Sequence, residues 1–132
     1  MELGLEVSEQ AGWAVVRVAG EVDTYAAPQL RERLVELVTE GQTRLVVDLR
    51  GVDFLDSTGL GVLVGALKRA RGHDGDLAVA CAQERIRKVF EITRLDRVFP
   101  MGATVEAAIE AAVASRPDLG EAAPLDGPAG GR

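Results

Sequence analysis

The sequence predicts an α/β domain built on a small mixed β-sheet, with its elements in the order ββαβαβαβα and helices packed on the sheet. Three observations lead there. Strand-length apolar runs alternate with helix-length segments whose apolar residues recur every three to four positions. The helical segments, at roughly a dozen residues each, suit the crossovers that parallel pairing requires. Two strand patterns at the start of the chain are separated by only a turn, which adds an antiparallel hairpin.

Leu3, Leu5 and Val7 alternate with Gly4, Glu6 and Ser8, the period of a half-buried strand. A second, more apolar strand covers residues 13–19, with Gln10-Ala11-Gly12 as the turn between them. Residues 20–23 read as a loop. The first helix places Leu30, Leu34, Leu37 and Val38 on one face, with Pro28 in its first turn and Gly41 at its stop. Residues 44–49 contain continuous Leu45-Val46-Val47 and read as a central strand. A loop is expected over 50–56, a second helix over 58–71, a strand over 76–81 and a helix over 84–92. A short strand near 97–99 and an Ala-rich helix over 104–114 complete the body. From Arg116 onward lie three of the five prolines and four of the fifteen glycines, without apolar periodicity, so residues 1–115 are expected to be the domain and 116–132 a disordered tail.

Composition narrows the possible functions. At 132 residues and 47% hydrophobic content the chain can bury a core without metal or disulfide. A net charge of -6 has the wrong sign for nucleic acid, and 4% aromatics leave little for stacking bases or sugars. Cys81 and His73 are the only cysteine and histidine, which excludes an internal disulfide and a Cys/His zinc site within one chain. Neither metal nor cofactor is expected. The acidic N-terminus lacks a signal-peptide pattern, and the longest apolar run, residues 59–67, is about half a membrane span. The expectation is a cytoplasmic protein that engages neither membrane nor nucleic acid.

One segment departs from local propensity. The second helix carries Gly59, Gly61 and Gly65, each costing about 1 kcal/mol relative to alanine. On a helical wheel Leu60, Leu63, Val64 and Leu67 form a core stripe, whereas Thr58, Gly61, Val62, Gly65 and Arg69 share the opposite, nearly bare face. Either a neighbouring element of the same domain or a partner protein could approach that face closely. Ser57 stands where the N-cap of this helix is expected, so its hydroxyl could cap a first-turn N–H. A phosphate there would also meet free amides and the helix dipole, while adding charge beside Asp53 and Asp56.

At these residues the chain resembles the bacterial anti-sigma factor antagonists, which are built on the STAS domain. The resemblance rests on Gly20-Glu21-Val22-Asp23, on Val47-Asp48-Leu49 leading into Phe54-Leu55-Asp56-Ser57-Thr58-Gly59-Leu60-Gly61-Val62-Leu63, and on Thr93-Arg94-Leu95-Asp96-Arg97-Val98-Phe99. It implies that Ser57, rather than adjacent Thr58, is phosphorylated by a partner that is both anti-sigma factor and serine kinase with a histidine-kinase-like ATPase fold. It implies further that the unphosphorylated form binds this kinase and frees the sigma factor, and that a PP2C-type phosphatase resets the switch. The implied contact surface comprises Glu21, Asp23, Thr24, Asp56, Ser57, Thr58, Gly61, Val62, Gly65 and Arg69.

Other classes fit the residues less well. A serine hydrolase would need a G-x-S-x-G elbow, which is absent, and a base, for which only His73 is available, roughly 20 Å away along the helix. The G-x-G-x-x-x-G spacing of Gly59, Gly61 and Gly65 is one residue too long for a dinucleotide fingerprint. Arg85, Arg87 and Lys88 lie among Glu84 and Glu91 as a solvated face; Cys81 reads as a small core residue and Trp13 as a partly buried one. Within the fold, the alternative is a STAS adaptor in a stress-signalling or lipid-transport assembly without sigma-factor control. Removing residues 116–132, with two positive and three negative charges, leaves -5 on the body. Glu21, Asp23, Asp53 and Asp56 concentrate part of it in two loops.

Overall fold

The computed structural model describes residues 3–120. β1 (Gly4–Gln10) and β2 (Trp13–Val22) form the opening hairpin, and α1 (Ala27–Thr39) leads to β3 (Arg44–Leu55). α2 (Ser57–Arg71) then leads to β4 (Asp76–Ala80), α3 (Glu84–Ile92) to the two-residue β5 (Met101–Gly102), and α4 (Val105–Ser115) follows. The five strands lie side by side in chain order, β1 antiparallel to β2 and the remainder parallel. This is the mixed sheet the sequence predicts.

Strand alternation divides the interior into two layers. β3 sends Leu45, Val47 and Leu49 toward α1, α2 and α3, and Val46 toward α4, so it is covered on both faces as its unbroken apolar run requires. Leu30, Leu34, Leu63, Leu67 and Phe90 fill the first layer, where Phe90 meets Phe99 edge-on at 5.7 Å. Trp13, Val15 and Ala78 meet Val105, Ala108 and Ala112 in the second. Trp13 is 1% exposed rather than partly buried, because α4 and Leu119 close over it. Cys81 is a core residue as expected, and burial pushes its thiol up to about 11, so it stays protonated.

Four boundaries differ from the sequence-based expectation. Residues 20–22 and 50–55, expected as loops, continue β2 and β3 through register shifts. The shifts put Val52 and Leu55 inside and Phe54 outside, so the two-residue pattern on which a strand is read breaks there. The expected strand at 97–99 is instead a 3-10 turn, Leu95–Arg97, entered through left-handed Arg94 (φ 64°), and the strand follows at Met101–Gly102. Arg116 does not begin a structureless tail: Pro117–Gly120 is a 3-10 turn that buries Leu119. The remainder of the expected tail, 121–132, lies outside the described residues.

Asp48 is 2% exposed on β3. It accepts hydrogen bonds from Arg50 Nε at 2.9 Å, Arg50 Nη2 at 2.8 Å and the Arg50 backbone N–H at 3.1 Å. Burial alone would raise its pKa; the bonds from Arg50 and the charges of Arg50 and Arg17 outweigh this and hold the carboxyl below its ordinary value. A depressed folded-state pKa contributes stability that is present above the unfolded-state value of about 3.9 and lost as pH falls through the folded-state value. Urea melts from about pH 6 to about pH 3 should show this loss below about pH 4, and Asp48→Asn should be less stable at neutral pH with a shallower acid fall.

Candidate functional site

β2 and β3 end side by side, with Val22 paired to Leu55 and the Asp56 N–H donating to Val22 O at 3.3 Å. The segments that follow the two strands therefore emerge together. Asp23 organises the first: its Oδ1 accepts from the Tyr25 and Ala26 N–H groups at 3.1 and 2.9 Å, and Ala27 N–H donates to Asp23 O at 2.8 Å to start α1. Asp56 organises the second. It is the N-cap of α2, its Oδ1 accepting from Gly59 N–H at 3.0 Å. The Thr24 hydroxyl donates to Asp56 Oδ2 at 3.5 Å and lies 3.4 Å from the Thr58 hydroxyl, which ties the two segments together.

The sequence-based expectation that Ser57 occupies the cap position is corrected by one residue. Asp56 has the extended backbone of a cap and a carboxylate that reaches Gly59, so Ser57 becomes the first helical residue. Its side chain is exposed and, among the described residues, its hydroxyl has no hydrogen-bond partner. The neighbouring Thr58 hydroxyl is engaged with Thr24. First-turn N–H groups without intrahelical acceptors lie beside Ser57, whereas the Asp56 carboxylate, the exposed Asp53 and Glu21, and Asp23 supply negative charge.

The glycines separate by role. A Cβ on Gly59 would lie 2.7 Å from both Leu55 Cδ1 and Val22 Cγ1, so this glycine lets the start of α2 rest on the ends of β2 and β3. A Cβ on Gly61 or Gly65 would meet nothing within 4 Å. Packing inside the domain explains the first glycine and not the other two. Leu60, Leu63 and Leu67 are buried as expected and Val64 half-buried; on the opposite face Thr58, Gly61, Gly65 and Arg69 are exposed and Val62 is half-buried.

The fold brings Glu21, Asp23, Thr24, Asp56, Ser57 and Thr58 together at one end of α2, with Gly61, Val62 and Gly65 running away from them. Arg69 lies twelve residues beyond Ser57, about 18 Å along the helix. His73 follows the end of α2, where its Nδ1 lies 2.9 Å from Arg69 O, so it is not a base for Ser57. Sequence reasoning missed Tyr25 and Phe54, which are 92% and 45% exposed beside this site, while Trp13, Phe90 and Phe99 are buried. No local signal distinguished them from the buried aromatics. Among the described residues no His, Cys, Asp and Glu cluster could hold a metal, and no helix is long and apolar enough to cross a membrane.

Residues 4–108, which contain all five strands and this site, match the family model of the STAS domain, and the chain belongs to that family. Relatives of the chain include anti-sigma factor antagonists. The chain is 36% identical over 110 residues to an anti-sigma-B factor antagonist of Bacillus subtilis (strain 168), across 83% of this chain and 100% of the relative. A crystal structure of an anti-sigma factor antagonist from Mycobacterium paratuberculosis superposes with a TM-score of 0.75 at 31% identity, covering 86% of this chain and 94% of that one. The Bacillus cell fate determinant SpoIIAA in its phosphorylated form superposes with a TM-score of 0.63 at 25% identity, covering 81% and 97%.

Proposed function

We propose that this chain is an anti-sigma factor antagonist operated by phosphorylation of Ser57. Unphosphorylated, it binds an anti-sigma factor serine kinase and the sigma factor is released; phosphorylated, it dissociates, and a PP2C-type phosphatase restores it. The chain acts in the cytoplasm as a substrate and binding partner, not as an enzyme. The observation that carries this reading is the exposed hydroxyl of Ser57 at the start of α2, without a partner among the described residues, next to a Thr58 hydroxyl that is already engaged. The names of its relatives and the phosphorylated form of SpoIIAA support the same reading.

Release follows from charge and space. A phosphoserine carries about -1.5 to -2 charges at pH 7, placed here beside Asp56 and the other carboxylates of the two segments. A partner seated on the bare face of α2 would have to accommodate both that charge and its hydration. Binding of the kinase to Ser57→Asp, Ser57→Ala and wild type, measured by calorimetry, tests this. Ser57→Asp should bind at least about tenfold more weakly, equivalent to about 1.4 kcal/mol. Ser57→Ala should bind like wild type and resist release by ATP; equal affinities for wild type and Ser57→Asp would refute the mechanism.

A further inference from the structure

We propose that the groove between α1 and α2 receives an acidic segment of the kinase partner, an aliphatic side chain flanked by a carboxylate, and thereby sets the direction in which the partner lies along α2. This rests on the reading of the Ser57 face as the docking surface and adds a second contact to it. A small depression of about 90 Å³ lies between the helices, floored by Val35, Val62 and Ala66 with the open glycines and rimmed by Arg31 and Arg69. Both arginines are exposed, and among the described residues neither side chain has a partner. The Glu36 carboxylate on α1 is engaged with Arg33, and Asp76, beyond the end of α2, with Arg71. In a chain with 21 acidic and 15 basic residues, two unpaired guanidiniums facing one apolar depression form a site for an external carboxylate.

The surface is therefore bipolar. Glu21, Asp23, Asp53 and Asp56 surround the Ser57 end of α2, Lys68 and Arg69 stand in its last turn, and Arg31, four residues into α1, flanks the groove between the two helices. Ser57 and Arg69 are about 18 Å apart along the helix, more than twice the screening length of about 8 Å at physiological salt. Each end consequently selects its own charge on the partner. A complementary protein presents basic residues toward the phosphoacceptor and the acidic, aliphatic segment toward the groove; the reversed orientation would set like charges against each other at both ends.

The test compares R31E/R69E with R94E/R97E for binding to the kinase that modifies Ser57. Arg94 and Arg97 are also exposed and without side-chain partners among the described residues, and both reversals change net charge equally. R31E/R69E should lower affinity at least tenfold at low salt, with the difference shrinking as salt rises, whereas R94E/R97E should stay within twofold of wild type. R31Q/R69Q should show an intermediate loss and serves if the double reversal misfolds. Equal affinities for R31E/R69E and R94E/R97E, with Ser57→Asp still weakened, would overturn the groove assignment alone. A wild type that does not bind the kinase would overturn both readings. Sedimentation shows whether the acidic end of a second copy fills the groove: self-association of wild type that R31E/R69E abolishes would overturn the proposal in favour of that occupant.

Discussion

Replacing Gly61 and Gly65 together by alanine should make the fold more stable and the protein a poorer binder. Both lie inside α2, where glycine is less favourable than alanine by about 0.8–1.0 kcal/mol per residue. An added Cβ would meet nothing within 4 Å at either position, so no packing penalty offsets the gain. The pair should raise stability by about 1–2 kcal/mol, or several degrees in Tm. On the exposed face, the same two methyl groups would hold a partner backbone away from the helix. Affinity for the kinase should fall at least about tenfold, a cost of about 1.4 kcal/mol. Paired thermal melts and calorimetry check the two effects; greater stability with unchanged affinity would remove this face from the interface.

The opposite extreme is expected at Gly75. A Cβ there would lie 1.8 Å from Thr43 O and 2.5 Å from Thr43 C, both backbone atoms. The same carbonyl accepts the Asp76 N–H at 3.0 Å, where Arg44 and Asp76 begin the pairing of β3 with β4. Gly75 N–H also donates to Ala70 O at 2.8 Å, so the residue joins the end of α2 to the sheet. Relief of the clash requires one of these attachments to open. Gly75→Ala should lose at least about 3 kcal/mol, a large fraction of the 5–15 kcal/mol typical of a domain. Gly41→Ala has open space around it and only a positive φ of 96°, so it should cost about 1–2 kcal/mol. Urea denaturation of both variants separates backbone collision from backbone strain.

Periodicity was sufficient for most of the architecture because the core is aliphatic and each element has one buried stripe. Leu30, Leu34 and Leu37 mark α1 by spacing alone, and Leu45-Val46-Val47 marks a strand covered on both faces. The reading failed where backbone irregularity breaks the period. Register shifts between β2 and β3 hid the second half of β3, and left-handed Arg94 turned an expected strand into a 3-10 turn. Helix capping was misassigned by one residue because Asp56 and Ser57 are both competent caps; only the Gly59 contact decides between them. The bare face of α2 was legible as a pattern of glycines. Its continuation onto Arg31 and Val35 was not, since no spacing rule relates α1 to α2.

In the proposed switch Ser57 is the acceptor and its modification ends binding. Incubation of the complete chain with its kinase and ATP, followed by intact-mass measurement, fragmentation and size-exclusion of the mixture, tests it directly. The prediction is one added phosphate, located on Ser57, with the modified protein eluting free of the kinase. Phosphate on Thr58, or a chain phosphorylated at Ser57 that still elutes with the kinase, would contradict it.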